Sequence, residues 1–220
     1  NTARKYGEIY DGESIKRIIK VNQSPIGKTP RSTVVSYLGI FDEIRMLFSK
    51  TSMAKELKLS PTMFSMNIKG GRCESCQGTG LQKIELNYLP SAYITCPECN
   101  GRRYNEKIIS VTYRNKTILD VLETPIAEII EIFNDTKKVY SVLRCMVELG
   151  LGYLTLGQMS MSLSGGEAQR IKLAKALGTL SRGKSLYILD EPTSGLNEID
   201  IDRFIKVLFS LQNKGETILI

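Results

Sequence analysis

The sequence predicts an α/β fold built on a parallel sheet, and three observations carry that prediction. Leu186 to Leu189 is a short apolar run of the kind expected for a strand covered on both faces, and it ends in two adjacent carboxylates, Asp190 and Glu191. Upstream, Ser164 stands three residues before Glu167, the spacing of a capping box, while Gly165 and Gly166 leave the first N–H groups of the helix uncovered. Near the start, Ile15 to Val21 is rich in β-branched residues and breaks at Asn22, Gln23, Ser24 and Pro25. Acids at the carboxyl end of a parallel strand can reach a metal ion or polarise a water. A bare helix N-terminus with a serine hydroxyl suits a phosphate.

A chain of 220 residues can bury a sizeable core, and 42% hydrophobic with 24% charged residues excludes disordered and collagen-like classes. The net charge of +7 permits a polyanionic partner, although a basic solvated face produces the same value. No run reaches the length of a membrane-spanning helix and no apolar leader follows Asn1 to Tyr6, so a soluble, cytoplasmic chain without a membrane partner is expected. The polar start without Met and the β-branched end at Thr217 to Ile220 read as the edges of an excised piece of something longer.

In order along the chain, Gln23 just past the first strand could bond a metal-bound water or a phosphate, though loop glutamines are commonly solvated. Pro25 to Arg31 is turn-rich, with Lys28 and Arg31 free of nearby acids. Such a loop suits contacts to a nucleic-acid backbone, against the plainer reading of a solvated loop. Phe41, Ile44, Leu47 and Phe48 have helical spacing, and residues 49–62 read as a connecting loop or short helix.

Four of the five cysteines form Cys73-Glu-Ser-Cys76 and Cys96-Pro-Glu-Cys99, separated by 19 residues. Four thiolates on two tight turns can enclose a metal tetrahedrally and leave no open position for catalysis, which points to structural Zn²⁺. A redox dithiol would account for only one pair, and an iron–sulfur cluster is the minor alternative. Gly78, Gly80 and Gly101 allow turns that aim N–H groups at the sulfurs. Between the pairs, Ile84, Leu86 and Tyr88 alternate with polar residues, predicting a β-hairpin. The basic residues around it, interleaved with Tyr88, Tyr93 and Tyr104, fit either stacking on nucleic acid or the small core of a metal-stapled module.

Ile108 to Tyr113 and Thr117 to Leu119 form a second hairpin candidate around Arg114 to Lys116. Thr124 and Pro125 read as the cap and first residue of a helix over 126–133, and Val139 to Leu149 as a helix closed by Gly150. Cys145 lies in that helix as a small core residue. In the helix after Ser164, Ile171, Ala174 and Leu177 mark the buried stripe, and Arg170, Lys172 and Lys175 the polar side.

Ser162-Leu-Ser-Gly-Gly-Glu-Ala-Gln-Arg170 followed by Leu186-Tyr-Ile-Leu-Asp-Glu-Pro-Thr193 resembles the signature and Walker B motifs of ABC-type ATPases. Gln23 to Ser32, Phe64 to Cys73, Cys96 to Tyr104 and Gly150 to Tyr153, in that order, resemble the C-terminal half of the UvrA family, the damage-sensing excinuclease ATPases of bacterial nucleotide excision repair. The resemblance implies an ABC-type ATPase core carrying a helical signature subdomain and a zinc-binding hairpin module. It divides the chain into 1–24 as the start of the core, 25–68 as the DNA-facing part of the signature subdomain, and 69–107 as the zinc module. The helical signature subdomain would be 108–161, and the core with signature and Walker B motifs 162–220.

By residue, the resemblance implies that Gln23 contacts the Mg²⁺ and γ-phosphate surroundings, and that Ser164, Gly165 and Gly166 close over an ATP held by the other half. Asp190 would hold Mg²⁺ through water, Glu191 would polarise the attacking water, and Ser194 and Gly195 would lie in the loop between paired sites. Lys28 and Arg31 would face DNA, and Cys73, Cys76, Cys96 and Cys99 would hold Zn²⁺. The implied partners are damaged duplex DNA, a second copy of the protein, and the endonuclease-loading excinuclease component UvrB, docking outside this chain.

Two departures qualify the resemblance. No G-x-x-x-x-G-K-[ST] occurs, so the phosphate-cradling loop is missing and the chain alone is expected to hydrolyse no appreciable ATP. There is no histidine, and Asn197 stands where the family typically has one. The competing readings are a UvrA-like ATPase serving export or resistance, and a zinc-stapled binding module like the Cys-x-x-Cys-x-Gly-x-Gly repeats of DnaJ-type chaperones.

Overall fold

The computed structural model describes residues 15–27, 29, 31–86, 89–179 and 184–220. Lys28 and Tyr88 lie outside the described residues. The chain opens with strand β1 (Arg17–Val21) and passes to three short helices, α1 (Val34–Leu38), α2 (Phe41–Ser49) and α3 (Ser52–Glu56), and a 3₁₀ turn, Pro61–Phe64. The hairpin strands β2 (Leu81–Leu86) and β3 (Leu89–Thr95) follow. After them come α4 (Glu106–Ile109), the two-residue strands β4 (Thr112–Tyr113) and β5 (Lys116–Thr117), α5 (Ile118–Glu123) and α6 (Ile126–Ile129). The chain then forms the two long helices α7 (Lys137–Glu148) and α8 (Gly165–Gly178), and closes with β6 (Ser185–Leu189), α9 (Glu198–Asn213) and β7 (Thr217–Leu219).

The strands at either end of the sequence meet in one parallel sheet, ordered β1-β6-β7. Val21 pairs in register with Leu189, and Ile188 with Leu219. Along β6, Ser185, Tyr187 and Leu189 are buried while Leu186 and Ile188 are half-buried, so the apolar run is covered fully on one face and partly on the other.

Helix α7 places Val139, Val142, Leu143 and Met146 inside, the i, i+3, i+4, i+7 pattern of an amphipathic helix. It packs against α8, and the approach is set at Gly178, where an added Cβ would lie 2.6 Å from Val142 Cα. Ile171, Leu173 and Ala174 of α8 are buried as their spacing requires, whereas Leu177 is half-buried. The polar side assigned to Arg170 is corrected: its side chain is only 6% exposed, drawn inward beneath the start of α8. Cys145 is half-buried, with its thiol pushed up to about 11, chiefly by burial. Below the helices, Phe48 packs against Phe64 and Tyr113 at 5.7 and 5.9 Å between ring centres.

Residues 108–113 differ from the predicted strand. Asn105 caps α4 by accepting from the Ile108 N–H at 3.1 Å, and Ile108 is fully buried in the helical turn. The predicted hairpin shrinks to β4 and β5, joined through Arg114 and Asn115 in the left-handed region. The helix after Thr124 also begins differently. Thr124 still donates to Asp120 O to close α5, and Pro125 forces it extended, so Pro125 itself takes the cap position. The predicted helix then tightens into a 3₁₀ turn, Ile130–Phe133. Among the described residues no helix is long and apolar enough to cross a membrane.

Candidate functional site

The register of β1 with β6 brings the segments after both strands side by side, so Gln23 emerges next to Asp190 and Glu191. All three residues are exposed. Glu191 adopts φ 43, a left-handed conformation that costs a non-glycine residue about 1 kcal/mol, and its carbonyl accepts from Ser194 N–H at 3.1 Å to form the following turn.

What holds the two strand ends together was not legible in sequence. Gln169 of α8, 2% exposed, donates through Nε2 to Val21 O at 3.1 Å and to Asp190 O at 2.6 Å. One buried amide therefore satisfies a carbonyl from each strand end. Lys172, one helical turn on, anchors the neighbouring segment through Nζ bonds to Asn22 O and Oδ1 and to Ser24 O and Oγ, between 2.5 and 3.0 Å. Burial lowers the Lys172 pKa from its ordinary value.

The start of α8 abuts the same region. A Cβ on Gly165 would lie 3.2 Å from Gln23 Oε1, and one on Gly166 would lie 3.2 Å from Ser194 O. The cap itself is complete: Ser164 Oγ accepts from Glu167 N–H at 3.2 Å, and Ser164 N–H donates to Glu167 Oε2 at 2.7 Å. Tyr153 O–H adds a bond to Glu167 Oε1 at 2.5 Å. Burial alone would raise the Glu167 carboxyl, but the bonds from Tyr153 and Ser164 outweigh it and hold the pKa below the ordinary value. Beneath the cap, Arg170 Nε and Nη1 are buried without a hydrogen-bond partner among the described residues. Nη1 would lie 3.4 Å from a Cβ on Gly166. Periodicity gave no sign of this inward arginine.

The four paired cysteines meet in one buried cluster, their sulfurs all within 4.8 Å of one another. Cys73 and Cys96 sulfurs are 4.0 Å apart, and Cys76 and Cys99 sulfurs 3.7 Å. Four sulfurs at about 2.3 Å from a central Zn²⁺ stand about 3.8 Å apart at the corners of a tetrahedron, so the donor set fits that ion. Gly80 N–H donates to Cys76 Sγ at 3.3 Å, the kind of outer bond that steadies a thiolate. Tyr104 is buried, and its hydroxyl donates to Phe64 O at 3.0 Å, so it belongs to the core beneath the module. Tyr93 on the hairpin is 63% exposed.

The chain around Arg31 meets the cysteine module and the segment leading to Ser164. Arg31 is exposed and donates through Nη2 to Gln77 Oε1, next to Cys76, at 3.4 Å. The chain after it pairs with the lead-in to Ser164: Ser160 N–H donates to Ser32 O, Val34 N–H to Gln158 O and Val35 N–H to Leu156 O, at 2.8 to 3.0 Å. Asn197 has a defined task, accepting from Asp200 N–H at 2.9 Å to cap α9.

Strand-end acids, a glutamine past the neighbouring parallel strand and a serine-capped glycine pair describe an ATP-binding cassette, and the chain belongs to the ABC transporter family, which matches residues 5–194. Over nearly its whole length the chain is similar to the UvrABC system protein A. Identity is 47% over 216 residues with that of Halalkalibacterium halodurans, covering 98% of this chain and 23% of the relative. It is 48% over 215 residues with that of Staphylococcus aureus strain COL, again covering 98% and 23%. The solved structure of UvrA2 from Deinococcus radiodurans superimposes with a TM-score of 0.86 at 47% identity, covering 94% of this chain and 26% of that one. The chain thus spans about a quarter of the length of these relatives.

Proposed function

We propose that this chain is part of the DNA-damage-recognition ATPase of bacterial nucleotide excision repair, coupling ATP binding and hydrolysis to binding of damaged duplex DNA. The observation that carries the reading is the adjacency of Gln23 to Asp190 and Glu191 at two parallel strand ends, clamped by Gln169, in the same chain as a four-cysteine centre. Asp190 would hold Mg²⁺, and Glu191 would orient and polarise the attacking water. Gln23 faces the γ-phosphate side. Mg²⁺, when bound with ATP, supplies charge neutralisation at the phosphates. Ser164, Gly165 and Gly166 offer a helix N-terminus to a nucleotide held by the other ATPase half, and Ser194 lies in the loop between paired sites.

Cys73, Cys76, Cys96 and Cys99 hold a structural Zn²⁺ that shapes the hairpin, while Lys28 and Arg31 contact the DNA backbone. The protein acts as a dimer, with the excinuclease component UvrB docking outside this chain, and it works in the cytoplasm. Because the chain has no G-x-x-x-x-G-K-[ST] sequence, it does not by itself turn over ATP at an appreciable rate.

In the intact protein, Glu191→Gln retains ATP binding while hydrolysis falls by a factor on the order of 100 or more, as loss of a general base requires. Unchanged hydrolysis would remove Glu191 from the mechanism. Lys28→Ala and Arg31→Ala weaken duplex binding across sequences, each reducing the salt slope by about 1. Duplex affinity indifferent to both changes would favour the export or resistance reading.

A further inference from the structure

Arg103 holds a position that neither centre explains alone. It follows the second cysteine pair in a left-handed conformation, φ 68. Its carbonyl accepts from Cys73 N–H at 2.8 Å, so the backbone that leaves the second cysteine pair is tied to the start of the first. The side chain runs away from the cluster. It passes Gly80, where an added Cβ would lie 3.2 Å from Arg103 Cγ. Nη1 then donates to Gly157 O at 3.0 Å and reaches Met66 Sδ at 3.5 Å.

Gly157 is held from the other side as well. Its N–H donates to Leu122 O at 2.7 Å, and an added Cβ would lie 2.8 Å from that oxygen, which excludes any larger residue. From there the chain turns through Ser160–Ser162 into Leu163 and the Ser164 cap. The parallel link from Arg31 to Gln77 joins two exposed side chains at 3.4 Å and is much the weaker. The Tyr104 hydroxyl leads to Phe64, away from this segment. A guanidinium bond to a carbonyl is charge-assisted, so the Arg103 bridge is, among the described residues, the strong direct contact between the cysteine module and the lead-in.

We propose that Arg103 is a positioning residue through which the occupied cysteine module fixes the 157–163 lead-in, so that metal binding controls the order of the Ser164 cap. The proposal rests on reading the cysteines as a zinc centre and Ser164 to Gly166 as a nucleotide contact. It follows that the cysteine module and the Ser164 cap are coupled chiefly through this one side chain, with the weaker Arg31–Gln77 contact beside it.

The test is amide hydrogen exchange on the intact protein, zinc-loaded and chelated. In the wild type, chelation speeds exchange across 157–163 about tenfold, the factor one charge-assisted hydrogen bond supplies. Arg103→Gly keeps the left-handed backbone and removes the side chain, and Arg103→Met keeps the aliphatic stem over Gly80 and removes the donors. Both load zinc as the wild type does, and in both the chelation effect falls below about twofold. A zinc-loaded variant that responds as the wild type does overturns the proposal. Loss of zinc loading in both variants also overturns it, by making Arg103 a structural part of the metal centre. A wild type that loads zinc but shows no chelation effect sinks the coupling and leaves the metal reading standing, whereas one that takes up no zinc sinks both.

Discussion

Gln169 does at the residue scale what no strand propensity could: one amide nitrogen bridges the carbonyls of Val21 and Asp190 and so sets the spacing of the candidate ATP site. Gln169→Ala leaves both carbonyls short of a donor in a buried place. It is expected to cost about 1–3 kcal/mol in urea denaturation; a loss under about 0.5 kcal/mol would show that the two carbonyls find other donors. Ser164→Ala removes the cap acceptor of α8 and costs about 1 kcal/mol by the same measurement. Glu167 makes that cap pH-dependent. Its folded-state pKa is lowered, so its contribution is present above the ordinary glutamate pKa and is lost as pH falls through the folded value. In Glu167→Gln that acid-side loss disappears from the stability profile, and an unaltered profile would exclude the residue as its source.

At the scale of elements, the agreement between sequence and structure follows the range of the interactions involved. The capping box of α8, the amphipathic spacing of α7 and the β-hairpin between the cysteine pairs depend on neighbours within a few residues, and each forms where its pattern lies. The segment from Ile108 to Tyr113 departs from its predicted strand because its β-branched character competes with an Asn105 cap and with a buried place for Ile108 that only the fold provides. Close approach of α7 to α8 belongs to this scale too. Gly178→Ala brings a methyl to 2.6 Å from Val142 Cα. Overpacking there is expected to cost about 1–3 kcal/mol and to lower the thermal midpoint. A variant as stable as the parent would mean that the helix pair shifts freely.

At the scale of the whole molecule, a parallel sheet joins residues about as far apart in sequence as the described chain allows, and the intervening helices and cysteine module stand between its strands. On the proposed zinc reading, the module depends on its metal. Chelation is expected to release about one Zn²⁺ per chain and to open residues 69–107 to protease. Zinc affinity falls on acidification, because the thiols must lose protons to bind it. Metal analysis across pH, with proteolysis before and after chelation, checks both, and a module that stays protected without metal would contradict them.

The sequence by itself determined the chemistry available: paired carboxylates after an apolar run, a serine-capped glycine pair, and four cysteines in two tight pairs. Local spacing determines these because capping, strand alternation and chelating turns act over a few residues. Only the tertiary structure decided which of these groups meet. It placed Gln23 beside Asp190, turned Arg170 inward and Gln169 onto two strand ends, and joined the cysteine module to the Ser164 lead-in through Arg103. The Gln169 bond to Val21 alone spans 148 residues, and all of these contacts follow from core packing and sheet register, which no local pattern encodes.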